Sequence, residues 1–188
     1  MAGQDGATGD GAPEETDPPS ADPVEEPTLH GVPVSDSRGQ EVLHPDRDGY
    51  RALVERLRAD GYWMAVDLCG VDHLATPGRR GLPASVQPER FEVVVNLIDH
   101  RGRRRTRLRV QVPESDPSVA SLVEVHPGLE ASERETHDLL GIVFDGHPDL
   151  SRILLPDDWE GHPLRKDEST GRIPVQFKVG SSGGGGRP

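Results

Sequence analysis

Three features predict an α+β fold, with two main helices packed on an antiparallel β-sheet. An amphipathic stripe surrounds Tyr50, a pair of adjoining apolar-alternating runs lies between residues 91 and 112, and a second helical pattern follows residue 130. The 188 residues suit one modest domain with tails. The expected divisions are a disordered acidic tail over 1–37, the α+β domain over 38–144, an extended partner-binding strap over 145–177 and a flexible Gly/Ser end over 178–188.

From Asp46 to Asp60, Tyr50, Leu53, Val54 and Leu57 recur at i, i+3, i+4 and i+7, the face of a surface helix. Gly61 supplies its stop. Tyr62 to Leu68 is a strand candidate. Phe91, Val93, Val95 and Leu97 share one face at period two, and Val94 and Ile98 on the other face predict a central strand covered on both sides. Asp99-His100-Arg101-Gly102 reads as a turn, after which Leu108, Val110 and Val112 point inward and Arg105, Arg107 and Arg109 outward. The segment between Asp72 and Arg90, rich in Pro and Gly, reads as a long loop. The second helix runs from about Glu130 to Leu140 and stops at Gly141, with Arg134 and Asp138 placed for an i, i+4 pair.

The charge is lopsided. Lys and Arg number 21 against 33 Asp and Glu, a balance of −12, and the nine acids up to Asp36 all precede the first basic residue, Arg38. Residues 1–37 therefore carry −9, with six prolines and few apolar side chains, a composition unable to offset its ordering entropy. The longest run without a polar side chain is six residues, Leu139 to Phe144, so no membrane span or secretory signal is expected. A single cysteine, Cys69, excludes an internal disulfide and any self-contained iron–sulfur or zinc site that needs four thiolates.

Beyond Asp145, Pro148, Pro156, Pro163 and Pro174 exclude a long helix or central strand, yet Ile153, Leu154, Leu155, Trp159 and Leu164 need cover. Burying about 200 Å² of Trp159 contributes at most about 5 kcal/mol, against roughly 1–2 kcal/mol to order its backbone. An extended strap over a surface is favourable. That surface is either this protein's own sheet or another subunit.

The arginine row from Arg101 to Arg109 could face nucleic-acid phosphates, but residues 38–188 total −3 and no RNA-binding aromatic motif accompanies it, so no nucleic-acid partner is expected. Glu92 is placed to pair with the row across the hairpin. Glu133 and His137 at i, i+4, with His147, Asp149 and His162 beyond, could ligate a metal. The two-histidine zinc helix is not matched, because Glu133 stands at its first position. A free-standing metal-dependent hydrolase using Glu133, His137 and His147 is the alternative function. Ser132, Ser151 and Cys69 lie in no nucleophile elbow, and no dinucleotide or phosphate loop occurs.

From Glu133 the chain reads ERETHDLLGIVFDGHPDLSRILLPDDWEGHPLRKD. This resembles the signature of the 30 kDa subunit of respiratory complex I, the NADH:quinone oxidoreductase, in its bacterial form, and weaker likeness extends upstream to about residue 45. The family usually has aromatic residues where Ala131 and His137 stand, and often Tyr at Glu168. The resemblance implies a non-catalytic subunit of the peripheral arm of a proton-translocating complex, peripheral to the cell membrane on the cytoplasmic side. The implied complex uses NADH, FMN, iron–sulfur clusters and quinone on other subunits, and none on this chain. Its strap would wrap the large quinone-site subunit. The residues expected at partners are Glu133, Arg134, Glu135, Asp138, His147, Arg152, Asp157, Asp158, Trp159, Arg165 and Lys166, with Trp159 as the aromatic anchor.

Overall fold

Alternation between 91 and 112 builds the centre of the molecule. In the computed structural model, which describes residues 26–76 and 81–168, β5 (Phe91–Asp99) and β6 (Arg104–Val112) form an antiparallel hairpin with Val93 opposite Val110. Phe91, Val93, Val95, Leu97, Leu108, Val110 and Val112 are fully buried on one face. β4 (Met64–Asp72) pairs antiparallel with β5 at one edge of the sheet. On the other side lie β3 (Gln40–Leu43), β2 (Val32–Ser37) and the short β1 (Thr28–Leu29), giving the order β1-β2-β3-β6-β5-β4. All pairings are antiparallel except β3 with β6, where Val42 lies beside Arg107.

Both helices cover the same face. α1 (Tyr50–Ala59) buries Tyr50, Leu53, Val54 and Leu57 completely, as its stripe predicts. α2 (Glu130–Leu140), entered through a single 3₁₀ turn, stops at Gly141 in the left-handed conformation, φ +73°. It sits close on β4 because Gly70 has no side chain, and a Cβ there would lie 2.5 Å from Leu140 Cδ1 and 2.8 Å from Thr136 Cγ2. A separate pair of parallel three-residue strands, β7 (Ser118–Ala120) and β8 (Val143–Asp145), ties the entry of α2 to its exit.

The opposite face is polar. Arg109 donates to Glu92 at 2.8 Å, as expected of that cross-strand pair, Gln111 donates to the same carboxylate and Arg107 to Asn96. Val94 and Ile98 are only half covered there. Gly81 contributes part of the cover, its carbonyl accepting from Ser35 and Arg109.

The tail boundary at residue 37 is corrected, because β1 and β2 lie within it. Pro33 is tolerated because it lies just beyond the β2–β3 ladder, which begins at Val34 opposite Leu43, while its carbonyl still accepts His44 N–H. Residues 1–25 and 169–188 lie outside the described residues, and with them most of the expected tail, the end of the strap and the Gly/Ser end.

Candidate partner interface

The last carbonyls of any α-helix lack partners within it. In α2 the following segment supplies them. Gly141 N–H donates to His137 O, and the His162 ring hydrogen-bonds Asp138 O at 2.9 Å. Leu164 N–H donates to Leu139 O at 3.0 Å, and Arg165 Nε to Leu140 O at 2.7 Å. Arg165 also lies over the Phe91 ring, 5.2 Å from its centre. The two guanidiniums of Arg152 and Arg165 thus meet the negative end of the helix dipole.

Two buried carboxylates complete the attachment. Asp138, fully buried, accepts the N–H groups of Ile153, Leu154 and Leu155 at 2.8–3.1 Å and pairs with Arg152 at 2.6 Å. Asp72 at the end of β4 accepts Lys166 N–H at 2.8 Å and pairs with Arg90, which also holds Asp167 at 2.6 Å. Burial opposes ionisation of both carboxyls, but these hydrogen bonds win and hold each at about 2. Arg152 then reaches the carbonyls of Trp159 and Gly161, closing the segment into a loop. Arg134 donates to Ser151 O and its hydroxyl.

With the backbone so occupied, the apolar side chains turn outward. Leu154 is 60% exposed, Leu164 50%, Trp159 41% and Ile153 40%. They stand beside exposed Asp157, Asp158 and Lys166. An apolar group rimmed by charge on a backbone held at many points is suited to contact with a protein partner.

Of the residues expected at partners, Glu135, Asp157, Asp158, Trp159 and Lys166 face solvent. Glu133 and Asp138 are corrected, being fully buried. Glu133 accepts Ser121 Oγ at 2.6 Å and Leu122 N–H at 2.7 Å, and burial raises its pKa. Its spacing with Thr136 and Leu140, at i, i+3 and i+7, puts it on the inward stripe, a signal available in the sequence. Arg152, Arg165 and Arg134 are likewise turned onto the domain. The expected Arg134–Asp138 pair is replaced by Arg134–Glu130 at 3.3 Å, because Arg152 takes Asp138. His147 is half-buried, its Nε2 hydrogen-bonding Glu130 O and its Nδ1 accepting Asp149 N–H.

The alternative metal set does not assemble. Glu133 points to Ser121, His137 to Ile142 O and His147 to Glu130 O. Among the described residues no group of three or more His, Cys, Asp and Glu side chains is arranged to hold a metal.

Comparison with known proteins agrees with this architecture. A trypsin-resistant fragment of Nqo5 superposes with a TM-score of 0.57 at 33% identity, covering 64% of this chain and 90% of the fragment. A chain in the structure of a membrane-bound sulfane sulfur reductase shares the fold, with a TM-score of 0.60 at 19% identity over 72% of this chain and 76% of its own. An NADH-quinone oxidoreductase subunit of Saccharopolyspora erythraea is 42% identical over 148 residues, 77% of this chain. The match spans only 55% of that relative. The same NADH-quinone oxidoreductase subunit from Roseiflexus castenholzii is 45% identical over 146 residues, 76% of this chain and 78% of the relative. The family model for the respiratory-chain NADH dehydrogenase 30 kDa subunit matches residues 43–173, from the end of β3 through the whole of the described strap. A match over most of the chain, joined to the shared α+β fold, makes this protein a member of the respiratory-chain NADH dehydrogenase 30 kDa subunit family.

Proposed function

We propose that this chain is a non-catalytic subunit of the peripheral arm of a proton-translocating NADH:quinone oxidoreductase, and that its strap seats the large quinone-site subunit. The observation that carries this reading is the division of labour in residues 150–167. Their backbone is spent on α2, Asp72 and Asp138, while Ile153, Leu154, Trp159 and Leu164 are left exposed. A ready-ordered strap loses little conformational entropy on docking, so its apolar area is available to affinity. On this reading NADH, FMN, iron–sulfur clusters and quinone belong to other subunits, and this chain holds their geometry. Its attachment to the cytoplasmic face of the cell membrane is then indirect. Among the described residues no helix is long and apolar enough to cross a membrane.

The test is purification of the full chain with its complex, as wild type and as Trp159→Ala. Seating by the strap predicts loss of the large subunit from the variant, about 2 kcal/mol or more of association, with thermal unfolding of the isolated chain nearly unchanged. Retained assembly together with a fall in unfolding temperature above about 4 °C would place Trp159 in this domain's own stability and end the proposal.

A further inference from the structure

Seven of the fifteen arginines among the described residues are engaged by acids. Arg47, Arg51, Arg90, Arg104, Arg109, Arg134 and Arg152 each pair with a carboxylate. Arg38, Arg101, Arg103 and Arg105 are exposed and have no side-chain partner among the described residues. The sheet gathers these four at one end. Because β3 runs parallel to β6 with Val42 beside Arg107, the turn holding Arg38 and the turn holding Arg101 and Arg103 project from the same edge. Below them, on the open face, a shallow groove of about 290 Å³ is lined by Gln40, Val66, Asn96 and Ile98, with Arg105 and Arg107 against one acid, Asp67.

The chain contains a segment of opposite charge outside the described residues. Residues 1–25 hold Asp5, Asp10, Glu14, Glu15, Asp17, Asp22 and Glu25 and no Lys or Arg. We propose that this acidic segment docks on the arginine-lined end of the open face of its own sheet.

The tether permits it. The described chain begins beside the loop at Ser85, whose N–H donates to Glu26 at 3.2 Å, and Thr28 lies opposite Pro33. From Pro33 along β2 to Arg38 is about 17 Å of extended chain. The acidic segment spans at most about 80 Å when extended, which is enough to reach the patch. A covalent tether of that length holds the acids at an effective concentration in the mM range, where diffuse charge attraction suffices for occupancy. The contact is electrostatic and exposed, so its range contracts from about 10 Å at 0.1 M salt to about 3 Å at 1 M.

Cys69 provides the probe. It is the chain's single cysteine, it is exposed, and it lies opposite Val94 on β5, on the open face. With a nitroxide on Cys69 of the full chain, amide resonances of residues 1–25 should broaden at low salt and recover in about 1 M salt. They should also recover in Arg101→Ser/Arg103→Ser/Arg105→Ser. A second variant, carrying Asn and Gln at the seven acids of residues 1–25, leaves the folded domain untouched and should abolish the broadening even if the arginine variant fails to fold. Absence of broadening in the wild type, or its persistence in the acid-neutralised chain, overturns the proposal. Broadening seen only between labelled and unlabelled copies also overturns it, by assigning the patch to the tail of a second copy.

Discussion

Asp138 on α2 and Arg152 on the segment after it meet at 2.6 Å, with the carboxylate fully buried and the guanidinium also donating to the helix's own carbonyl at Asp138. The pair fastens a stretch without regular structure to the end of a helix. Replacing Asp138 by Ala leaves Arg152 and the three N–H groups of Ile153, Leu154 and Leu155 without their acceptor. The expected loss is about 3 kcal/mol. Amide exchange checks it: residues 153–155 should exchange much faster while β5 amides stay protected relative to them, and uniform acceleration across both would show that the strap is not a separable unit.

Asp72 and Asp138 are both held at about 2, below the usual carboxylate value. Since the folded value is the depressed one, their stabilisation is fully present above the unfolded value near 4 and is lost as pH falls through about 2. Each is worth roughly 2 kcal/mol at neutral pH. Urea unfolding of wild type and Asp72→Asn/Asp138→Asn should therefore show a gap that is constant down to about pH 5 and narrows from there to about pH 2.5. A gap independent of pH would contradict the assignment.

Glu133 behaves in the opposite sense. Its pKa is raised, with burial as the leading cause, so the neutral carboxyl is favoured in the folded state. Its contribution is greatest below the unfolded value and declines as pH rises through the raised one. Glu133→Gln should accordingly be as stable as wild type or more so at pH 8, whereas Glu133→Ala should lose about 2–3 kcal/mol at acidic pH and less at pH 8 while remaining below wild type. Denaturant midpoints for the two variants decide it, and a Gln variant as damaged as the Ala variant at pH 8 would show that the ionised form is required.

Gly70→Ala tests the approach of α2 to β4. The added methyl meets Leu140 and Thr136, whose side chains must shift, and the expected cost is about 1–3 kcal/mol. A change in unfolding free energy below about 0.5 kcal/mol would mean that the helix rides higher on the strand than described.

How far the sequence discloses this architecture depends on the length of each element. Phe91–Val112 and the two helices carry enough turns of a clear period to be read directly, and Gly141 marks where the second one ends. β2 and β3 are short, β7 and β8 have three residues each, and β3 meets β6, and β7 meets β8, only across long stretches of chain, so no local pattern announces them. In the segment after α2, the outward position of Trp159 accords with a Pro-punctuated chain that has no period of its own. The inward position of Asp138 has no such local sign, because its partners come from residues 152–155 and are brought to it only by the fold.

The parallel contact of β3 with β6 bears on the order of assembly. α1, β4 and β5 all intervene between the two strands, so this ladder closes a long loop, while β4, β5 and β6 pair between near neighbours. The β2–β3 hairpin therefore leaves the ribosome before its neighbour and can dock on it only once β6 has been made. Until then it offers an unpaired edge, and synthesis that halts before Val112 strands the hairpin without the neighbour that completes its sheet.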